Sequence, residues 1–469
     1  MLKLNMKKIL LLILALLPLQ VTLRMIFNLP VFLLLIYPFI ILATIYLIIN
    51  RKKIRINKYL FKYILIILII FYCEMVISVL FGLQNVIDTH IPFQYYVKKY
   101  SFFWDGNVMS SIFAGIIRPF VYFYFFIIIN FIIKSENDIK KLVKYLLLIA
   151  LISSIYSIYQ LIAFKLGLPY SSICSGHDGD LITFSGIRRC EGLFYEPGPH
   201  ATFLSVIFAI LFCQKKSAFF AKTQIWWLLI ILITFSMFIT WSPIGILTPF
   251  LSLIFLIFLK WNSISKKLKK TILFLFLGIV LILPNIFSLI ENSSNMFIKT
   301  TIEKIAILNY KYDTNIQGGA RSNRNYIGTC IFLNNNKLLG IGPGNDGFYY
   351  PRYGSFATGW LPDKGIVLNN NLKILVDSGI LGFLIYCILL IFPALYNIKI
   401  KLYKKKTTKF LDNFINSMFL SEFLLVFLTF TSQVEFFQPL FWMVYSLLCI
   451  SIILKIKYLK NGDFIYENN

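Results

Sequence analysis

The chain has 469 residues, 58% of them hydrophobic and 14% charged, with a formal net charge of +26. Soluble proteins average about 25% charged residues, so a water-soluble globular domain is excluded. The Lys and Arg excess punctuates apolar runs and forms no continuous patch, which argues for membrane orientation and against nucleic-acid binding.

Apolar runs of roughly 18–22 residues recur along the chain, each long enough to cross a ~30 Å hydrocarbon core as a helix. About twelve spans are predicted, near 9–27, 31–49, 61–82, 111–133, 145–166, 199–213, 225–241, 243–259, 271–290, 372–397, 412–431 and 438–456. The expected fold is all-α, a single polytopic membrane domain over 1–469 in contact with the lipid bilayer. The sixth to eighth runs are short enough to tilt, pair or re-enter. The first run ends in ALLPLQVTLRM without a clear small-residue cleavage site, and an uncleaved first span is expected. No internal repeat or low-complexity linker is evident.

Lys3, Lys7 and Lys8 precede the first run, and basic clusters follow at 51–58, 134–144, 215–222, 260–270, 399–409 and 455–460. These clusters fall on alternate loops. By the positive-inside rule these loops and both termini are cytoplasmic. Segments 83–110, 167–198 and 291–371 are then external, and the last is the largest hydrophilic stretch. Its opening, 291–313, has helical spacing suited to an interfacial helix.

Arginine usage is sharper than lysine usage. The chain has nine arginines and thirty-seven lysines, and cytoplasmic anchoring is almost wholly by lysine. Arg188, Arg189, Arg321, Arg324 and Arg352 instead fall on external segments. A guanidinium binds phosphate oxygens bidentately and stays charged when partly buried. These arginines therefore outline an external diphosphate-binding site. The alternative is pairing with Asp178, Asp180, Glu191 or Glu196.

Two external stretches carry the motifs: RRCEGLFYEPGPHATF at 188–203 and NNNKLLGIGPGND at 334–346. A third, Asn369 to Gly382, reads N-x-x-L-x-x-x-x-D-S-G-I-L-G. In order and topology these parts resemble the O-antigen and capsular polysaccharide polymerases, the Wzy group, and their relatives the O-antigen ligases. The topological likeness covers most of 110–450, the motifs about 60 residues. The resemblance implies a GT-C-like, metal-independent glycosyltransferase without a cofactor. It would act in the bacterial cytoplasmic membrane on an undecaprenyl-diphosphate-linked oligosaccharide, beside a repeat-unit flippase and a chain-length regulator. Ligases open the last motif with His-Asn; this chain has Leu368-Asn369, which favours polymerase over ligase. A non-catalytic transporter or flippase is the rival from another class. Such proteins show repeats and broken helices near the midplane, whereas here the polar chemistry is expected in external loops.

Transfer from a lipid diphosphate needs stabilisation of the leaving group and a base for the attacking hydroxyl. Glu196 precedes Pro197 and Gly198 at the predicted start of the sixth span and is the first candidate base; the alternative is a carboxylate that complements a helix dipole. His200, one turn later, is the second candidate, or an interfacial polar residue. Tyr195 suits sugar packing. Gly342, Gly344, Asn345, Asp346 and Asn369 are candidate loop or sugar contacts, the glycines either offering N–H groups to a ligand or making tight turns. The spacing of GIGPGND does not fit a dinucleotide loop. His90, His177 and His200 are scattered, so no zinc site is expected. Cys174, Cys190 and Cys330 are external; a Cys174–Cys190 bridge fits their order but no secreted framework supports it.

Overall fold

The structure, a computed structural model, describes residues 2–27, 34–50, 60–87, 113–170, 183–184, 187–214, 223–259, 321–345, 349, 353, 369–401, 408–427 and 438–461. The described part is helical apart from one short antiparallel pair, Thr183–Phe184 against Ile187–Arg188. Helix α1 (Leu2–Leu16) runs through a 3₁₀ turn into α2 (Gln20–Ile26). Then come α3 (Ile36–Ile49), α4 (Leu60–Ile87) and α5 (Arg118–Ile132), which a π turn at Phe113–Ile117 opens. Helices α6 (Glu136–Leu166), α7 (Pro197–Cys213), α8 (Thr223–Ile239), α9 (Pro243–Leu259) and α10 (Arg321–Asn334) follow. The chain closes with α11 (Asn370–Lys401), α12 (Lys409–Phe427) and α13 (Pro439–Asn461).

Helices occupy every predicted span except 271–290, which lies outside the described residues, as does the predicted interfacial helix at 291–313. Six described helices are long and apolar enough to cross a membrane, and four more are apolar but shorter. Large apolar side chains such as Ile48, Leu228, Ile231, Leu384 and Leu395 face outward, as lipid contact requires. The chain is thus a helical multi-pass membrane protein. One boundary differs from expectation. Helix α4 runs on through Ile87, into the segment read as external from 83. The late external stretch contains α10, whose Ile327 and Ile331 are buried in a small cluster with Val79, Ile341 and Val376.

Local chemistry explains where the helices start and stop. Ser135 accepts from the Asp138 N–H, and Asp138 reaches back to the Ser135 N–H, a capping box that starts α6. Gly167, at φ 67, ends it in the left-handed region. Asp138 Oδ2 also binds Lys7 Nζ at 2.7 Å, which fixes the start of α1 beside the start of α6. Thr408 donates to Glu136, Lys455 Nζ lies 2.6 Å from Asp412, and Lys140 sits over the Phe410 ring. The starts of α1, α6 and α12 and the end of α13 therefore share one face, and it is the lysine-rich one.

Helix α13 is almost wholly buried in the bundle, with Trp442, Tyr445, Leu448 and Cys449 fully enclosed. Trp442 packs edge-on against Phe123 of α5 at 5.2 Å, and the Tyr445 hydroxyl donates to Leu389 O of α11 at 2.8 Å. Two further bonds set the opposite face. Gln214, at the end of α7, donates to Phe410 O, so α7 ends at the lysine-rich face and starts at the other. Asn371 donates to Val426 O near the end of α12, so α11 starts at that other face too. Glu196 and Asn369 therefore open their helices on the same side.

Candidate functional site at the face opposite the lysines

The segment EGLFYEP is docked backbone-first onto α6. The Glu191 and Gly192 N–H groups both donate to Gln160 Oε1, at 3.2 and 3.0 Å. The Leu193 N–H donates to Ser153 Oγ at 3.1 Å, and that oxygen lies 3.0 Å from His200 Nε2. Gly192 has φ 59, and a Cβ there would meet Ser153 Oγ at 2.5 Å and His200 Cε1 at 2.7 Å. No larger residue fits this approach. Ser153, Ser157 and Gln160 are fully buried on α6, and Ser157 bonds Ser236 of α8. Sequence reasoning passed over them. Their signal was present in ISSIYSIYQ: polar residues at i, i+4 and i+7 mark one stripe of an apolar helix.

On this docked segment Arg188 is 4% exposed. Its Nη2 stands 3.9 Å from Glu191 Oε1, and its guanidinium lies 5.0 Å from the Tyr170 ring. Arg188 Nε and Nη2 make no hydrogen bond among the described residues. Arg189 points differently: its Nε donates to Thr240 O at 3.3 Å. With the Cys190 N–H on Ile239 O, that bond ties the segment to the end of α8. Arg188 thus meets one of the carboxylates foreseen as alternative partners, and Arg189 meets a carbonyl.

Cys190 is fully buried and a free thiol; Cys174 lies outside the described residues. Burial pushes the Cys190 thiol up to about 12. Only the thiolate is nucleophilic. Cys190 should therefore resist N-ethylmaleimide in the folded protein at pH 8 and label fully after denaturation, as mass spectrometry would read. Rapid labelling of the native protein would mean that the 188–196 segment undocks.

Glu196 is the N-cap of α7, with extended backbone and Pro197 at the first helical position. Its side chain makes no capping hydrogen bond. Glu196 and Tyr195 are half-buried. His200 is different. It is fully buried, stacked on Phe194 at 5.3 Å and bonded to Ser153, so it lies within the bundle rather than at its mouth.

The second and third motifs interlock. Helix α11 breaks at Gly379 (φ 62, ψ −165), which frees backbone groups that a membrane interior cannot hydrate. Ile341 N–H donates to Val376 O at 2.9 Å and Gly342 N–H to Asp377 O at 2.8 Å. From beyond the break, Ile380 N–H donates to Lys337 O and Leu381 N–H to Leu338 O, at 2.8 and 3.1 Å. The strap 337–342 replaces the missing turn. The Gly340 N–H is held by Asn336 O. The N–H groups of Gly340, Ile341 and Gly342 are thus bonded to protein carbonyls, and these residues form a close backbone junction. Gly344, at φ 85, continues the turn. Asn345 is fully buried and its amide donates to Ile341 O. Asn369 Oδ1 accepts from the N–H groups of Asn371 and Leu372, as the N-cap of α11. Asp346 and the side chains of Arg321 and Arg324 lie outside the described residues.

The break also brings intramembrane polar groups together. Glu74 stands midway along α4, 4% exposed, with Oε1 accepting from the Ser78 hydroxyl at 2.7 Å. Ser378 and Asp377 of α11 face it, and Lys373 Nζ lies 3.2 Å from Asp377. Glu422 of α12 is buried as well. The polar chemistry is therefore not confined to external loops. Among the described residues no three His, Cys, Asp or Glu side chains converge as a metal cluster. No family model matches the chain, and none of the curated proteins matches it either.

Proposed function

We propose that the chain is a bacterial polysaccharide polymerase. It joins undecaprenyl-diphosphate-linked repeat units on the outer face of the cytoplasmic membrane, with about twelve spans in a GT-C-like arrangement and both termini cytoplasmic. Arg188 carries the reading. A buried guanidinium whose Nε and Nη2 make no hydrogen bond among the described residues, on the docked segment that leads into the half-buried Glu196, is the electrostatic arrangement a departing diphosphate calls for. Glu196 serves as the base for the acceptor hydroxyl. Arg189 fixes the docked segment, and His200 orients it through Ser153. The gathering of Lys7, Lys140 and Lys455 at one face agrees with alternating basic cytoplasmic loops. A flippase and a chain-length regulator are the partners this activity requires.

One observation favours a second reading. The broken α11 beside Glu74 is a feature of ion-coupled transporters, so movement of a lipid-linked sugar without new bonds is the rival. The purified protein given a lipid-linked repeat unit in proteoliposomes separates the readings. Ladders of lipid-linked polymer support polymerase. A single transfer to a different acceptor supports a ligase. Translocation with no new glycosidic bond supports transport and removes the polymerase reading.

A further inference from the structure

Three consecutive backbone N–H groups of the docked segment are taken by two side-chain oxygens of one helix. Gln160 Oε1 accepts from Glu191 and Gly192, at 3.2 and 3.0 Å, and Ser153 Oγ accepts from Leu193 at 3.1 Å. Both acceptors are fully buried. They stand two turns apart on α6, about 10 Å at 1.5 Å per residue. The bundle interior offers these N–H groups no water, so an unpaired one is costly. Ser153 Oγ also lies 3.0 Å from His200 Nε2, one turn into α7. Ser157, between the two acceptors, bonds Ser236 of α8. The polar stripe of α6 therefore ties the loop to the helices on either side of it.

The same contacts set the register. A Cβ on Gly192 would meet Ser153 Oγ at 2.5 Å, His200 Cε1 at 2.7 Å and Ser153 O at 2.8 Å. A slip of one residue would bring Glu191 or Leu193 to this place, and neither fits. Such a slip would also move the chain by about 3.5 Å. Arg188 lies three positions before the first of the bonded N–H groups, and Glu196 three positions after the last. Both are therefore placed by the same short stretch of backbone.

We propose that Gln160 and Ser153 are positioning residues for glycan transfer. They lock the backbone of 191–193 in one register, and so place Arg188 for the leaving diphosphate and Glu196 for the acceptor hydroxyl. The role in transfer rests on the polymerase reading; the lock itself rests on the hydrogen bonds alone.

The test uses the full chain in proteoliposomes. Gln160→Met keeps length and bulk but removes the acceptor, whereas Gln160→Glu keeps an acceptor oxygen in either protonation state. Ser153→Ala removes the second acceptor. In Gln160→Met, N-ethylmaleimide labelling of Cys190 at pH 8 is expected to rise about tenfold or more, as the loss of two hydrogen bonds favours undocking. Cys449, fully buried on α13, should stay protected. Transfer should fall about 10²-fold at saturating donor, the effect of a misplacement near 1 Å, with a smaller change in KM. Ser153→Ala should show the same pattern, and Gln160→Glu should recover most of both signals. Wild-type protection of Cys190 in Gln160→Met overturns the lock, and wild-type transfer overturns the positioning role. Labelling of Cys190 and Cys449 together would mean that the whole bundle loosens, which also overturns a local role. A wild-type protein that makes no polymer overturns the polymerase reading, and with it the role in transfer, while the labelling still decides the lock. If Gln160→Met fails to accumulate, Ser153→Ala against Gln160→Glu decides.

Discussion

If the chain is the polymerase proposed above, Glu196→Gln is expected to lower glycan transfer by about 10²–10⁴-fold, the usual range for a lost general base, with donor binding and membrane accumulation kept. Glu196 precedes α7 without capping it, and Gln preserves its shape. A carboxylate that only complements the helix dipole is worth about 0.3–1 kcal/mol, and its loss would leave transfer near wild type. His200→Gln run beside it should behave otherwise. His200 is buried against Ser153 and Phe194, so its replacement should appear first as reduced thermal stability, on the order of 1 kcal/mol for one buried hydrogen bond. Polymer length and rate at matched protein levels, with donor binding measured separately, check both. Wild-type transfer by Glu196→Gln would remove this residue from the mechanism.

Gly340→Ala is expected to destabilise the bundle by roughly 3–5 kcal/mol, combining left-handed strain with the loss of two or more backbone hydrogen bonds. Gly340 has φ 72, and a Cβ there would stand 2.5 Å from Val376 O and 2.6 Å from both Asp377 O and Gly379 N. All three are backbone atoms of the broken turn, so no side chain can move aside. The strap would lift, leaving the carbonyls of Val376 and Asp377 unpaired inside the membrane. Gly198→Ala is the matched control: nothing lies within 4 Å of its Cβ position, and it sits in the first turn of α7. Thermal unfolding or protease resistance of the two variants in the same detergent checks the contrast. Equal stability would mean that the strap does not hold the break.

The helices were legible because their signal is local. An apolar run long enough to cross a membrane is helical whatever surrounds it, since no other backbone satisfies its own polar groups there. The lysine clusters likewise marked the helix ends that the structure gathers at one face, as Lys7, Lys140 and Lys455 illustrate. The position of Glu196 ahead of α7 followed from Glu-Pro-Gly, because proline fits the first helical turn and the residue before it is extended. The motif glycines were visible as glycines, but their partners were not.

What the sequence determined by itself is the class of protein and the location of its described helices. Tertiary structure alone decided which polar groups are satisfied. The stretch Asn369 to Gly382 is a motif that leads into a predicted span, and nothing in its order of residues marks a break at Gly379. It breaks because residues 337–342, some forty positions earlier, take over its hydrogen bonds. Arg188 and Arg189 are neighbours of identical chemistry, yet one is buried beside Glu191 and the other donates to Thr240. His200 is withdrawn from the mouth by Ser153, a residue of another helix. Each outcome depends on pairing between distant segments, and that pairing is set by which backbone and side-chain groups meet when the helices pack, not by the order of residues within any one of them.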